Sequence, residues 1–137
     1  MTPPGGIAYH RFARQTQLLF TETLDMTDYG NWYWATNNAA NLTHQSGSDT
    51  DLRGAFTSSG NLTNSNDTRY RAINDALPTF AFALDLGFVA NTPVNTLFTV
   101  GLAQDPAVQF NGANGTEPVK SLWTSYYTNE LDAVGEI

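Results

Sequence analysis

Strict alternation of large apolar and smaller residues marks the clearest strand of the chain. Within residues 77–87 (LPTFAFALDLG), every second residue from Phe80 to Leu86 is large and apolar, which predicts a half-buried strand that ends at Gly87. Weaker patterns of the same kind predict further strands within 7–26, 31–36, 42–45, 96–102 and 107–110. A turn of helix is predicted near 51–56, because a structureless loop as long as 37–74 is uncommon in a compact domain.

The C-terminal segment has a different period, which predicts an amphipathic helix over 118–131. Its large apolar residues recur at spacings of three and four: Leu122, Trp123, Tyr126, Tyr127 and Leu131. Short strands separated by turn residues are typical of β-sandwiches. The predicted fold class is therefore mainly β, an antiparallel β-sandwich with a C-terminal amphipathic helix. We expect a flexible lead or first strand at 1–14 and one sandwich domain at 15–137.

Composition narrows the possible partners. A chain of 137 residues fits one domain. The net charge is −7, and the six basic residues form no run, so nucleic acid and anionic membrane surfaces are not expected partners. No apolar stretch reaches the ~20 residues of a spanning helix. Cysteine is absent and histidine occurs twice, so we expect neither a thiolate nucleophile nor a metal site, and no cofactor.

The polar residues are mainly amides and hydroxyls. Asn occurs 13 times and Thr 18 times, whereas charged residues make up 14% of the chain. Four N-x-S/T triplets are candidate glycosylation sites: Asn41, Asn61, Asn66 and Asn114. We expect a secretory origin for the parent protein, although such triplets also arise by chance in a chain of this composition. The start MTPPGGIAYHRF has no apolar core, so no signal peptide is expected in this chain.

An acidic cluster at residues 46–51 (SGSDTD) is the most site-like feature. Asp49 and Asp51 could act as a general acid and base, or hold a calcium ion through oxygen ligands. The spacing lacks the further acidic positions, the central Gly and the closing Glu of a calcium-binding helix–loop–helix. We therefore favour helix capping and turn formation by these side chains, and predict no metal.

Opposite charges lie close together in the polar middle of the chain. Arg53 follows Asp51, and Arg71 follows Asp67. Charge-assisted pairs between such residues would lock the segment onto the sandwich, which is the interpretation we favour. The alternative is that Arg53 or Arg71 clamps the carboxylate of a substrate.

Two aromatic groups are candidate contact surfaces. Trp32 and Trp34 fall on one face of the strand 31–36 and Tyr33 on the other. We assign the tryptophans to the core and expect Tyr33 to be exposed, where it could stack on a sugar. Three residues of the predicted C-terminal helix, Trp123, Tyr126 and Tyr127, either contact another domain or fold back on this one.

With these segments identified, the sequence resembles the N-terminal domain of the fungal glutaminase A family. The similarity is carried, in order, by GNWYWAT (30–36), SGSDTDLRGAF (46–56), NDTRYRAIND (66–75) and FAFALDLG (80–87). Shorter matches follow at 99–102, 108–110 and 122–126, so that the resemblance covers about residues 15–132.

The resemblance implies a β-sandwich that precedes a helical-toroid catalytic domain in secreted enzymes that release ammonia from L-glutamine. No catalytic residue is carried over from it to this chain. The expected function is therefore a non-catalytic accessory or docking domain of a glutaminase-like amidohydrolase, not active alone. The alternative is a carbohydrate- or cell-wall-binding module that uses exposed aromatic residues.

Overall fold

A computed structural model of the protein describes residues 6–136. They fall into two compact units, one formed by the chain up to Asn37 and from Leu97 on, the other by Asn38–Thr96. In chain order the elements are β1 (Ile7–Phe12), β2 (Glu22–Thr23), β3 (Met26–Thr27), β4 (Asn31–Asn37), β5 (Leu42–Ser48), α1 (Asp49–Ser59), β6 (Pro78–Leu84), β7 (Phe98–Ala103), β8 (Val108–Gly112), β9 (Gly115–Val119), a 3₁₀ helix (Leu122–Ser125) and α2 (Glu130–Gly135).

The first unit is built on a three-stranded antiparallel sheet in the order β1–β4–β7. Trp34 in the central strand lies opposite His10 of β1 and Val100 of β7. Aromatic and β-branched residues of this kind favour strands because their side chains pack on a pleated surface. The predicted strands at 31–36 and 96–102 are thereby confirmed. β1 lies within the segment 1–14, of which residues 1–5 are outside the described residues.

Two hairpins complete the strands of the first unit, β2–β3 and β8–β9. In the second hairpin Gly112 lies opposite Gly115, so the loop is Ala113-Asn114. Pro118 lies in β9 opposite Gln109. Proline is tolerated there because each strand of a two-stranded ladder is an edge strand.

The predicted helix over 118–131 is present only in part. Its first residues belong to β9, and the rest is divided into the 3₁₀ helix and α2. The division has a local cause at Asn129, whose backbone is extended and whose side chain accepts a hydrogen bond from the N–H of Asp132. An N-cap interrupts a helix, because its backbone conformation is not helical. The residues of the three- and four-residue spacing are therefore divided between the 3₁₀ helix, the connection after it and α2.

The second unit contains an antiparallel pair of strands, β5 and β6, and α1 packs on this pair. Both the strand predicted within 77–87 and the helix predicted near 51–56 are present. The strand ends at Leu84 and not at Gly87, and the helix is longer than expected. Leu52 of α1 is 3% exposed. It packs against Gly47 of β5, where a Cβ atom would lie 3.1 Å from Leu52 Cδ1. The glycine thus permits the close approach of helix and strand.

The prediction for the two faces of β4 is wrong. Tyr33 and Ala35 are 3% and 2% exposed, whereas Trp32 and Trp34 are half-buried. The Tyr33 hydroxyl is bound by Glu130 of α2, 97 residues away. Both sides of the strand carry apolar residues, so period-two alternation alone could not decide which one is buried.

The fold class is confirmed as mainly β, with antiparallel sheets and short C-terminal helices. The face-to-face packing of two sheets in a sandwich stays a prediction, as do the domain boundaries 1–14 and 15–137.

Candidate functional site

The most connected polar cluster joins β1, β4 and α2. Glu130, the first residue of α2, accepts hydrogen bonds from the Tyr33 hydroxyl at 2.5 Å and from the Asn31 amide at 2.9 and 2.8 Å. Arg11 of β1 donates to Asn31 Oδ1 at 2.6 Å. One carboxylate therefore has three hydrogen bonds from the sheet, and they hold the start of α2 against β4. Hydrogen bonds to an ionised group are among the stronger ones in proteins.

Tyr33 is kept neutral by this environment. Burial of the ring and hydroxyl raises the pKa of Tyr33, and the hydrogen bond to Glu130 and its negative charge raise it further, to about 12. The guanidinium of Arg11 opposes this rise. A phenol with such a pKa donates a hydrogen bond throughout the physiological range, and its role here is structural.

A second buried group, Asp28, lies where β3 leads into β4. It is 6% exposed and accepts hydrogen bonds from the hydroxyls of Thr21 and Thr23 at 3.1 and 3.0 Å. Arg14 forms an ion pair with it. Burial acts to raise the pKa of Asp28, but the two hydroxyls and the guanidinium outweigh it and hold the pKa below its ordinary value of 3.8. Asp28 therefore fastens the β2–β3 hairpin as a carboxylate.

The acidic cluster forms the start of α1. The Ser48 hydroxyl accepts a hydrogen bond from the N–H of Asp51 at 3.1 Å, as an N-cap does. Asp49 Oδ1 lies 2.6 Å from Nε of Arg53, one turn along the same helix. The Arg53 side chain is 77% exposed, so this pair contributes little to stability. These contacts favour capping over an acid–base pair or a calcium ligand set.

Asp67 and Arg71 also pair with each other, four residues apart. Nη2 of Arg71 lies 2.5 Å from Asp67 Oδ2. The angles at this contact are not those of a hydrogen bond, so the pair is an ion pair only. Nε of Arg71 is buried and has no acceptor among the described residues. The Arg71 side chain is 9% exposed. A guanidinium in this position is closed to a substrate carboxylate from solvent.

Both arginine pairs therefore lie within their own segments. The segment that carries Asp67 is instead fastened to β5 by hydrogen bonds. Ser46 Oγ accepts from the N–H of Asp67 at 2.8 Å, and Thr43 Oγ1 accepts from the N–H of Leu62 at 3.0 Å. Backbone groups pair here with hydroxyls of the strand, which satisfies them without a further strand. The expectation that ion pairs lock this segment onto the sandwich is thus corrected, since hydrogen bonds with β5 hold it, among them that from the Ser46 N–H to the Ser65 carbonyl at 3.0 Å.

The aromatic candidates do not form a stacking platform around Tyr33, which is buried. The ring of Trp32 stacks on Phe12, with ring centroids 6.1 Å apart, and that of Trp34 stacks on Phe98, with centroids 5.5 Å apart. One face of each indole is therefore already covered. A sugar-binding role for Tyr33 has no exposed ring to support it.

The three candidates at the C-terminal end differ in exposure. Trp123 is half-buried, and its Nε1 donates to the Gln104 carbonyl at 3.2 Å. Tyr126 is 74% exposed and Tyr127 is half-buried. The 3₁₀ helix is thus anchored to its own unit by Trp123. Of the three candidates, Tyr126 is the exposed one.

The four candidate glycosylation residues, Asn41, Asn61, Asn66 and Asn114, are all exposed. Asn114 lies in the loop of the β8–β9 hairpin. The side-chain amide of Asn41 donates a hydrogen bond to the Asp85 carbonyl, so its nitrogen already has a partner in the folded chain.

Within residues 6–136, no group of three or more His, Asp or Glu side chains is placed to hold a metal ion. A cleft beside α2 has an empty volume of about 210 Å³, part of it open to solvent. It is lined by Ile7, Ala35, Thr36, Asn37, Leu97, Thr99 and Val134. No helix in this part of the chain is long and apolar enough to cross a membrane.

The residues that the sequence analysis missed are Arg11, Asn31 and Glu130. Their contact joins positions up to 99 residues apart, which no local pattern reveals. One local signal was present, because Asn129 followed by Asp132 has the form of an N-cap with an acidic third residue. That signal places the start of a helix at Glu130, but not the strand it binds.

Similarity to known proteins covers most of this chain. This chain is 50% identical over 130 residues to Glutaminase A of Aspergillus oryzae. The aligned residues make up 94% of this chain and 19% of that protein. The chain is 34% identical over 123 residues to a protein named as a probable glutaminase of Arthroderma benhamiae, which is 84% of this chain and 14% of that protein. The chain thus spans less than a fifth of each relative. No solved structure matches it.

These relatives confirm the resemblance to the N-terminal domain of the glutaminase A family. The family described as "Domain of unknown function (DUF5127)" matches residues 1–137. Over its whole length, this chain belongs to the DUF5127 family.

Proposed function

We propose that this chain is a non-catalytic accessory domain of a glutaminase-type amidohydrolase, an enzyme that hydrolyses L-glutamine to L-glutamate and ammonia. The observation that carries the proposal is the similarity to Glutaminase A, which covers 94% of this chain but 19% of that protein. A region that forms a fifth of an enzyme leaves most of the chain to supply the catalytic groups.

The chemistry of the described residues supports a structural role. Amide hydrolysis needs a nucleophile, a base and donors for the oxyanion held together in one site. The strongest polar clusters here have other tasks: Glu130 holds α2 on β4, Asp28 fastens a hairpin, and Asp49 pairs with Arg53 on one helix. Each of these carboxylates already has its own partners.

The setting of this domain is part of the proposal. We infer that the parent protein is secreted, carries glycans on some of the exposed candidates (Asn41, Asn61, Asn66 and Asn114), and contains a helical-toroid catalytic domain. Expression behind a secretion signal in a fungal host, followed by enzymatic removal of N-glycans, tests the glycosylation. A mass unchanged by deglycosylation would contradict glycosylation.

The proposed function is tested by ammonia release from L-glutamine. The purified chain is assayed beside its Asp49→Ala and Arg53→Ala variants, with Aspergillus oryzae Glutaminase A as the positive control. We expect no release above the blank from a chain whose folding is verified by far-UV circular dichroism. Turnover by the chain would overturn the proposal, and its loss in either variant would place the chemistry at the start of α1.

An accessory role also predicts that the parent enzyme depends on this domain for its activity or its accumulation. A chimera of Glutaminase A, in which this chain replaces the region it matches, is expected to release ammonia. Glutaminase A from which that region has been deleted is expected to lose activity or to fail to accumulate. A deletion variant as active and stable as the intact enzyme would contradict the accessory role.

A further inference from the structure

One face of the three-stranded sheet carries an exposed apolar surface. Alternate residues of β7, namely Phe98, Val100 and Leu102, are 40%, 61% and 37% exposed. In the register of the sheet, Val100 lies opposite Trp34 and Leu102 opposite Trp32. These five residues therefore share one side of two neighbouring strands. We call them the apolar sheet face.

The apolar sheet face has the composition of the centre of an interface. Neither β4 nor β7 contains a charged residue. Interface centres are depleted in charge and enriched in aromatic residues. The ring of Trp34 is stacked on Phe98, so the surface is already ordered and covering it costs little side-chain entropy. Contiguous apolar surface of this kind marks an interaction site.

The edge of the sheet points to the same conclusion. Among the described residues, β7 pairs with β4 and with no other strand. Natural proteins protect an edge strand with charge, proline or a bulge, or they cover it. The sequence of β7, FTVGLA, has neither charge nor proline. An edge of this composition is therefore a surface to be covered.

The occupant of the apolar sheet face that these features favour is a neighbouring domain of the same polypeptide. In the relatives the matched region is 19% and 14% of the protein, so most of their chain is available as a tethered partner. Tethering supplies an effective concentration of the order of millimolar. A second copy is disfavoured because each chain carries a net charge of −7, which opposes self-association. A sugar is disfavoured because the indole rings are stacked on other aromatic rings.

We propose that the apolar sheet face, centred on Val100, is the surface by which this domain docks on an apolar patch of the catalytic domain of the same glutaminase-type chain. This inference rests on the proposed function and adds to it the surface involved. It moves the main contact from the C-terminal segment around Trp123, which is bound within its own unit, to the sheet.

Cysteine footprinting tests the docking surface. The natural chain has no cysteine, so Val100→Cys introduces a single thiol. Its control is Phe88→Cys, at a residue that is 94% exposed and lies in the second unit. Each variant is labelled with a maleimide as the isolated chain and within the Glutaminase A chimera. Labelling of the peptide that carries the new thiol is followed by mass spectrometry.

The docking proposal predicts that both thiols react readily in the isolated chain. In the chimera, labelling at position 100 should slow at least about tenfold, while labelling at position 88 should keep its rate. Because the readout is protection and not activity, a failure here leaves the ammonia assays to judge the proposed function separately. Leu102→Cys repeats the test if Val100→Cys disturbs folding.

Two results would overturn the docking proposal. One is unchanged labelling at position 100 in a folded chimera. The other is protection of that thiol in the isolated chain as its concentration is raised, which would identify a second copy as the occupant. If the chimera does not accumulate, the same labelling is done on intact Glutaminase A with cysteines introduced at the positions aligned with residues 100 and 88, and the same criteria apply.

Discussion

The hydroxyl of Tyr33 is a single group whose removal tests the attachment of α2 to the sheet. Tyr33→Phe keeps the ring, which lies 6.0 Å from the ring of Tyr9, and deletes the 2.5 Å hydrogen bond to Glu130. Nothing else in the contact needs to move. The change therefore isolates one hydrogen bond to a carboxylate.

The expected loss of stability follows from the geometry. A hydrogen bond to a charged group contributes about 1.5–3 kcal/mol. Glu130 is half-buried and keeps its two bonds from Asn31, so we expect the lower end, about 1.5 kcal/mol. For a domain of this size, 1 kcal/mol shifts the melting temperature by roughly 4 °C. Tyr33→Phe should therefore melt about 6 °C below the natural chain at pH 7.

The pH dependence supplies an independent check. The pKa of Tyr33 is about 12 in the folded chain, against an ordinary value of 10.0. The neutral phenol is therefore favoured by folding. This contribution is complete below pH 10 and is lost as the pH rises from 10 to 12. The gap corresponds to at most about 2.7 kcal/mol, and Tyr33→Phe should lack this alkaline loss.

Thermal unfolding followed by far-UV circular dichroism measures the first effect, and absorbance titration of the six tyrosines measures the second. Tyr126→Phe is the matched control, because Tyr126 is 74% exposed and its loss should change stability by less than about 0.5 kcal/mol. Equal melting temperatures for Tyr33→Phe and the natural chain would refute the reasoning. A titration in which Tyr33→Phe still shows a tyrosine with a pKa of about 12 would refute it as well.

Two further predictions concern the first unit, and a third concerns Gly54 in α1 of the second unit. Because folding lowers the pKa of Asp28 below 3.8, its carboxylate contributes stability above that pH and loses it as the pH falls through the folded value. Asp28→Asn should thus melt lower than the natural chain at pH 7 and lose less on acidification to pH 2. The exposed Asp25→Asn is its control, and an identical acid profile for Asp28→Asn would contradict the assignment. Gly30→Ala should cost about 1–3 kcal/mol, because φ is +98° and the new Cβ would lie 2.7 Å from the Ala103 carbonyl oxygen. A Cβ atom added at Gly54 in α1 would have no atom within 4 Å, so Gly54→Ala should raise the free energy of unfolding by about 0.5–1 kcal/mol. Denaturant unfolding measures both glycine variants, and equal losses of stability would refute the steric account.

Several elements could be read from local pattern because their determinants are local. Alternation from Phe80 to Leu86 predicts β6, since neighbouring side chains of a strand point to opposite faces. The helix near 51–56 begins after Ser48, whose hydroxyl caps it through a residue three positions along. The resemblance to the glutaminase A family was also visible in the sequence, since several motifs of that family occur in the same order.

Tertiary contacts decided the rest. Both faces of β4 carry apolar residues, and Tyr33 is buried with its hydroxyl bound by Glu130, 97 residues away. The C-terminal apolar spacing predicted one helix, but β9 pairs with β8 through Pro118 and Gln109, which removes its first turn. Local periodicity determines which residues share a face. Which face is covered depends on the distant segment that packs there, and that is settled only when the whole chain folds.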